Sequence, residues 1–189
     1  MQYIALDIGN VCIQLGHQRL LTELQLQPDF FSRPEIIRAI EMHEFGHWNE
    51  DMFFQELHKV PELQKLSPTK LRQGYRNLLC DPVPGMPELL KALPENGIIP
   101  VFFSDISIYH LEICRRIIPA MHRYSGVYSF DVHTHKPGPA MFDRFEQLYG
   151  QPLLYTDDRS ELISAARERG WQAEVFQSCD QLKSLLKVD

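Results

Sequence analysis

The first apolar run of the chain, Tyr3-Ile4-Ala5-Leu6, ends on a carboxylate, Asp7, and passes directly into Ile8-Gly9-Asn10-Val11. A short apolar run that stops at a Gly-Asn pair is the pattern of a buried strand breaking into a turn. The pattern recurs where Ile98–Phe103 meets Ser104-Asp105, and again where Leu153–Thr156 meets Asp157-Asp158. Val127-Tyr128-Ser129-Phe130 and Ala173-Glu174-Val175-Phe176 read as two further short strands. Helical spacing fills the gaps over Glu88–Leu93, Ile106–Ile118, Ala140–Tyr149, Glu161–Arg169 and Cys179–Leu186. Pro119 stops the second of these, Pro137-Gly138-Pro139 opens the third, and Gly170 closes the fourth. Strands alternating with helices predict an α/β fold: a Rossmann-like, mostly parallel sheet, flanked by helices and wound with right-handed crossovers.

Residues 16–80 break this alternation and show no convincing strand. Leu20, Leu21, Leu24 and Leu26 mark a helix stopped by Pro28, and Ser32-Arg33-Pro34-Glu35 opens a second that carries Ile36, Ile37 and Ile40. Asn49-Glu50-Asp51 starts a third with Phe53, Phe54, Leu57 and Val60, and Ser67-Pro68 a fourth with Leu71, Tyr75, Leu78 and Leu79. Asp81-Pro82-Val83-Pro84-Gly85-Met86-Pro87 punctuates the return. The chain therefore divides into an α/β core, residues 1–15 and 82–189, and a small all-helical insertion after the first strand, residues 16–81.

Composition narrows the class. A chain of 189 residues, 44% hydrophobic and 23% charged, is an ordinary globular α/β domain with room for such an insertion. A net charge of −6 with no basic face argues against nucleic acid as a partner. No run approaches the roughly 20 apolar residues that span a bilayer, which argues against a membrane. Cys12, Cys80, Cys114 and Cys179 have neither zinc nor Cys-x-x-Cys spacing and read as reduced, mostly buried thiols. The apolar stretch before Asp7 is too short for a secretory signal, so a cytoplasmic location is expected.

The chemistry lies at the strand ends, since ligands of open α/β sheets bind outside the carboxyl ends of the strands. A lone Asp at a strand-to-helix turn is most often a cap, but several carboxylates on one rim repel each other unless a cation sits among them or one is protonated. Magnesium suits such a site, because it takes hard oxygen ligands and commonly joins carboxylates to a phosphate. Asp157 and Asp158 are adjacent, so one can ligate a metal while the other caps the helix beginning near Arg159. Ser104 offers a hydroxyl and the free amides of a helix start, an anion site. Lys136, in His135-Lys136-Pro137-Gly138-Pro139, would balance the carboxylates and hold a phosphate oxygen as a point charge if it points toward the rim.

The order of these pieces resembles the haloacid dehalogenase (HAD) superfamily over nearly the whole chain. Leu6-Asp7-Ile8-Gly9-Asn10-Val11 is similar to its first motif, Phe103-Ser104-Asp105 to the second, Lys136-Pro137-Gly138-Pro139-Ala140-Met141-Phe142 to the third, and Leu154-Tyr155-Thr156-Asp157-Asp158-Arg159-Ser160-Glu161 to the acidic fourth. The helical insertion matches the position of a cap in that superfamily. The resemblance implies a magnesium-dependent phosphatase acting on a small phosphorylated metabolite through an aspartyl-phosphate. Asp7 would be the nucleophile and Lys136 its catalytic partner. Ser104, Asp105 and Asn10 would contact the phosphate, and Asp7, the carbonyl of Gly9, Asp157 and Asp158 would surround Mg2+.

Two positions depart from the pattern. Asp105 stands where Asn more usually follows Ser104, which brings negative charge toward a phosphate unless it faces away or caps the following helix, and Gly9 is the other. Phosphatases of the superfamily usually carry a second aspartate two residues after the nucleophile as general acid and base, and here that position is Gly9. General acid–base catalysis is worth about 10² to 10⁴-fold, so the substitution predicts slow turnover, an easy leaving group or a substitute donor from the cap. His43, Glu44 and His47 come from a stretch within reach but read as surface residues, as do His133 and His135 beside Lys136. Three alternatives stay open: metal-free hydrolysis of the haloacid dehalogenase type, a catalytically impaired HAD fold that binds a ligand or partner, and phosphoryl transfer to an acceptor other than water.

Overall fold

The structure is a computed structural model that describes residues 2–188. Its strands are β1 (Gln2–Leu6), β2 (Ile13–Leu15), β3 (Leu79–Pro82), β4 (Ile98–Ser104), β5 (Gly126–Tyr128), β6 (Leu154–Asp157) and β7 (Ala173–Val175). Its helices are α1 (His17–Leu24), α2 (Pro34–Glu44), α3 (Glu50–Leu57), α4 (Pro68–Arg76), α5 (Met86–Glu95), α6 (Ile108–Ile117), α7 (Ser129–Val132), α8 (Pro139–Tyr149), α9 (Ser160–Glu168) and α10 (Cys179–Leu186).

Five strands form one parallel sheet in the order β5-β4-β1-β6-β7, with β1 at its centre. Both faces of β1 are buried, which is why it reads as a continuous apolar run rather than an alternating one. Ile4 and Leu6 pack into one layer with Leu89, Leu90 and Phe102, while Ala5 faces a second layer with Phe103, Phe142, Tyr155 and Trp171. The register aligns Leu6 with Phe102 of β4 and with Thr156 of β6. One residue further along, Asp7 therefore lies level with Phe103 and Asp157, and its N–H donates to the Thr156 carbonyl at 3.1 Å. The chain steps outward from β1 to β4 and β5, then returns to the other side for β6 and β7. This reversal leaves a crevice between β1 and β6, where open α/β sheets bind ligands.

Helices α1–α4 surround an apolar cluster of their own, built from Leu20, Leu24, Ile36, Phe53, Leu63 and Tyr75 among others. Two of the capping residues read from the sequence hold: Asn49 accepts from the Met52 N–H and Ser67 from the Lys70 N–H. Ser32 does not cap α2; its hydroxyl donates to the Asp29 carbonyl, and Arg33 takes the position before Pro34.

Three expectations need correction. Residues 79–81, expected at the end of an all-helical insertion, belong to β3, which pairs antiparallel with β2 in a two-stranded ribbon at the base of the helical block. Ser129 and Phe130, expected in a strand, begin α7. The helix expected from Ile106 begins at Ile108, because Ser107, fully buried, accepts from the His110 N–H and fixes the start there. Among the described residues, no helix is long and apolar enough to cross a membrane.

Phe53 is fully buried and packs against His43, Phe54 and Tyr75. Phe53→Ala should therefore destabilise the protein by about 3–5 kcal/mol, the usual cost of emptying a large aromatic site. Urea denaturation measures it, and a loss below about 1 kcal/mol would show that the helical block does not fold around this cluster.

Candidate active site

Lys136 is the hub of the strand-end cluster. Its side chain is fully buried, and its ammonium donates to Asp7 Oδ1 at 2.7 Å, Asp157 Oδ2 at 2.7 Å and the Phe103 carbonyl at 2.8 Å. Its three N–H bonds thus match three protein acceptors, one from the end of each of β1, β6 and β4. Burial works against the ammonium charge, but Asp7 and the other acidic groups around it outweigh burial and keep the lysine protonated. In this arrangement its donors hold the carboxylates in place.

The two carboxylates it joins are not equivalent. Burial, with Asp157 adding its repulsion, pushes the Asp7 carboxyl from the usual 3.8 up to about 6, against the pull of Lys136. Burial also opposes the Asp157 charge, but there Lys136, the Tyr155 hydroxyl and the Arg159 N–H more than offset it, and the carboxyl is held below its usual range. The Tyr155 hydroxyl donates to Asp157 Oδ2 at 2.6 Å and the Arg159 N–H to Oδ1 at 3.0 Å. Asp157 is thus saturated with donors, while Asp7 shares one lysine with a stronger competitor.

Asp158 completes the acidic group and is its most exposed member. One carboxylate oxygen from each of Asp7, Asp157 and Asp158 lies within 4.8 Å of the others. Asn10 ties this side of the rim together. Its backbone is left-handed, with φ 52°, its amide donates to Asp158 Oδ2 at 2.8 Å, and its side-chain carbonyl accepts from the Leu15 N–H at 3.0 Å. Between them Asp7, Asp157 and Asp158 carry one more negative charge than Lys136 and the partly shared Arg159 neutralise, since Arg159 also donates to Asp105 Oδ2 at 2.9 Å. The donor set, three carboxylates with a charge to spare, fits a hard divalent cation.

Ser104 closes β4, almost fully buried, and lines a small cavity of about 130 Å³ with Gly9 and Asp105. It does not stand at a helix start, which lies at Ser107. Both carboxylate oxygens of Asp105 are occupied, one by the Lys136 backbone N–H at 2.9 Å and the other by Arg159. Sequence reasoning passed over Arg159 and Tyr155. Arg159 had its place beside the Asp-Asp pair as a signal, whereas Tyr155 is indistinguishable from a core aromatic. His43, Glu44 and His135 are not the surface residues they resembled. His43 is buried and stacked on Phe53, and Glu44 and His135 approach each other to 2.9 Å across the helical block and the core. His47 is exposed and stacks on His133.

A larger hollow of about 540 Å³ opens between α6 and the helical block, lined by residues including His43, Trp48, Tyr109 and Arg116. None of the strand-end residues lines it, whereas Gly9, Ser104 and Asp105 line the smaller cavity.

No protein-family model matches the chain, and no curated protein is similar to it in sequence. Solved structures resemble it in fold. A HAD family enzyme from Bacteroides thetaiotaomicron superposes with a TM-score of 0.83 at 17% identity, over 98% of each chain. The same enzyme has been solved in complex with magnesium and inorganic phosphate, and that structure gives a TM-score of 0.79 at 18% identity over 95% of this chain and 96% of that one. An L-2-haloacid dehalogenase from Xanthobacter autotrophicus, with chloropropionic acid covalently bound, gives 0.65 at 14% identity over 99% of this chain and 83% of its own. The strand-end carboxylates, the order of the sheet and the inserted helices thus sit together on a known scaffold: this chain has the fold of the haloacid dehalogenase-like superfamily.

Proposed function

We propose that the protein is a magnesium-dependent phosphatase acting on a small phosphorylated metabolite. The observation that carries this reading is the buried cluster in which one lysine holds Asp7 and Asp157 while Asp158 stands at the rim. A surplus of negative charge at the mouth of a sheet disfavours a bare anionic substrate and favours a cation with a phosphate. For the same reason the cluster supports the phosphatase reading over metal-free displacement of halide. That the Bacteroides enzyme was crystallised with magnesium and phosphate agrees with it.

Asp7 and Asp158, with the Gly9 carbonyl, would hold Mg2+, and Asp157 lies within reach. Bound there, the ion would supply positive charge against the phosphoryl oxygens. The remaining work falls to side chains of this protein. Asp7 attacks phosphorus, the P–O bond to the leaving group breaks, and the phosphoryl group rests on the Asp7 carboxylate until water releases it. Lys136 fixes the attacking carboxylate by gripping Oδ1, which leaves Oδ2 as the attacking atom. Ser104 lies beside the incoming group as a hydroxyl donor. Asp157 anchors Lys136, Asp105 holds the Lys136 backbone and Arg159, and Asn10 orients Asp158. A 130 Å³ cavity suits a compact metabolite, since drug-sized ligands occupy roughly 300–1,000 Å³.

Phosphate release from a panel of small phosphate esters tests the reading. Activity is expected with Mg2+, abolished by EDTA and reduced at least about 10³-fold in Asp7→Asn. Activity that survives either change would overturn it, and chloride release from 2-chloropropionate without metal would favour the dehalogenase.

A second test needs no substrate. A carboxyl raised from 3.8 to about 6 by folding stabilises the native state in its protonated form, and that contribution is lost as pH rises through about 6. In EDTA at pH 8, Asp7→Asn should therefore be more stable than the parent protein by up to about 3 kcal/mol. The difference should vanish below about pH 4, and Mg2+ should raise the melting temperature of the parent far more than that of the variant. A variant less stable at pH 8, or a difference that does not depend on pH, would contradict the charge imbalance.

A further inference from the structure

The segment that ends α2 is fastened to the core. The Ser129 hydroxyl donates to the Glu44 carbonyl at 2.7 Å, and His133 Nδ1 donates to the Phe45 carbonyl at 2.7 Å. The Phe45 ring lies 4.5 Å from the His135 ring, centroid to centroid. Gly46, at φ +72°, comes so close to α7 that an added Cβ would stand 2.7 Å from the Phe130 carbonyl oxygen. These contacts carry the Glu44 side chain to the wall of the cavity that Gly9, Ser104 and Asp105 also line. Its Oε2 lies 2.9 Å from His135 Nε2, close enough to pair although the N–H does not point along the line. This places a carboxyl group on the wall of the same cavity as Gly9, the residue with no side chain to donate a proton.

We infer that Glu44 is the general acid and base of the reaction, supplied by the cap in place of a side chain at position 9, with His135 as its positioning residue. The inference rests on the phosphatase reading. As Asp7 attacks, the P–O bond to the leaving group breaks, and the Glu44 proton passes to the departing oxygen, giving the free alcohol. In the second half-reaction water adds to phosphorus, one of its protons returns to Glu44, the bond from phosphorus to Asp7 breaks, and phosphate leaves.

The other titratable groups facing this cavity do not fit the role. Asp105 has both oxygens occupied by Lys136 and Arg159. His110 is fully buried, with Nε2 on the Tyr75 carbonyl, and burial pushes its pKa down to about 3, so it carries no proton to give. Burial likewise lowers His17 and raises Tyr75 well above its usual range, which leaves the first neutral and the second a reluctant donor. Glu44 is a carboxyl that burial holds toward its protonated form. Burial raises its carboxyl, with Asp105 adding to the shift, against the opposing pull of His135 and Arg159. On the same helix, Glu41 acts with Glu44 and Asp105 to raise His135.

The test uses the intact protein with Mg2+ and a series of aryl phosphates from p-nitrophenyl to p-methoxyphenyl, whose leaving groups grade from good to poor at nearly constant shape. In Glu44→Gln, kcat/KM should fall by about 10² or more for p-methoxyphenyl phosphate and by less than about tenfold for p-nitrophenyl phosphate. The p-nitrophenol burst reports that the variant is folded and still phosphorylates Asp7. The alkaline limb of the kcat/KM profile with the poor leaving group should disappear. Gly9→Asp provides the second variant. A Cβ there comes nearest the flexible Leu15 side chain, Cδ1 at 3.0 Å and Cγ at 3.6 Å, and then Asp7 Oδ2 at 3.7 Å, so an aspartate introduced into Glu44→Gln should recover at least tenfold of the lost rate. An equal loss across the series, or none, would overturn the role of Glu44 and leave the phosphatase reading standing. A parent protein that binds Mg2+ yet cleaves no aryl phosphate would overturn both.

Discussion

One buried ammonium holds the rim of the sheet together. Lys136 reaches Asp7, Asp157 and the Phe103 carbonyl, so a single side chain joins the carboxyl ends of β1, β6 and β4. Removing one partner of such a buried group leaves an uncompensated charge, which is costly in a low-dielectric interior. The arrangement is therefore rigid and incomplete at once. It ties Asp7 to Lys136 at 2.7 Å, yet leaves more negative charge than it neutralises. That incompleteness is the physical basis of the metal and phosphate reading, because a divalent cation would relieve the excess.

Much of this rim was legible in the sequence. Asp7, Ser104-Asp105 and Asp157-Asp158 each end an apolar run, and parallel strands buried on both faces announce themselves by such runs. The register then brings the ends level, so residues about 50 to 150 positions apart in sequence become neighbours. The caps Asn49 and Ser67 were legible for a similar reason, since a cap acts within three residues of its helix. The ribbon of β2 and β3 was not. Strands of three and four residues carry no readable period, and the pairing of Ile13 with Pro82 exists only once the helical block has folded back.

The least legible feature is the contact between the helical block and the core. Glu44 and His135 each look like solvated surface residues when read locally, and their meeting depends on Ser129, His133 and Gly46 clamping two distant segments together. Tyr155 illustrates the same limit from the other side: its ring belongs to the Phe103–Trp171 aromatic cluster, while its hydroxyl secures Asp157. The absence of a side chain at Gly9 was legible. The carboxyl group that shares its cavity, Glu44, emerged only from the tertiary structure. The strand-end motif is thus written locally, whereas the contact between the helical block and the core is written in the packing.

On the proposed function, the carboxylate gripped by Lys136 is the group that receives phosphorus. Acid quenching of the protein during turnover of p-nitrophenyl phosphate with Mg2+, followed by peptide mass spectrometry, tests it directly. A phosphoryl group is expected on the peptide containing Asp7, located on that residue and absent when Mg2+ is withheld. Turnover with no phosphoryl group on Asp7, or with one on another residue, would contradict it.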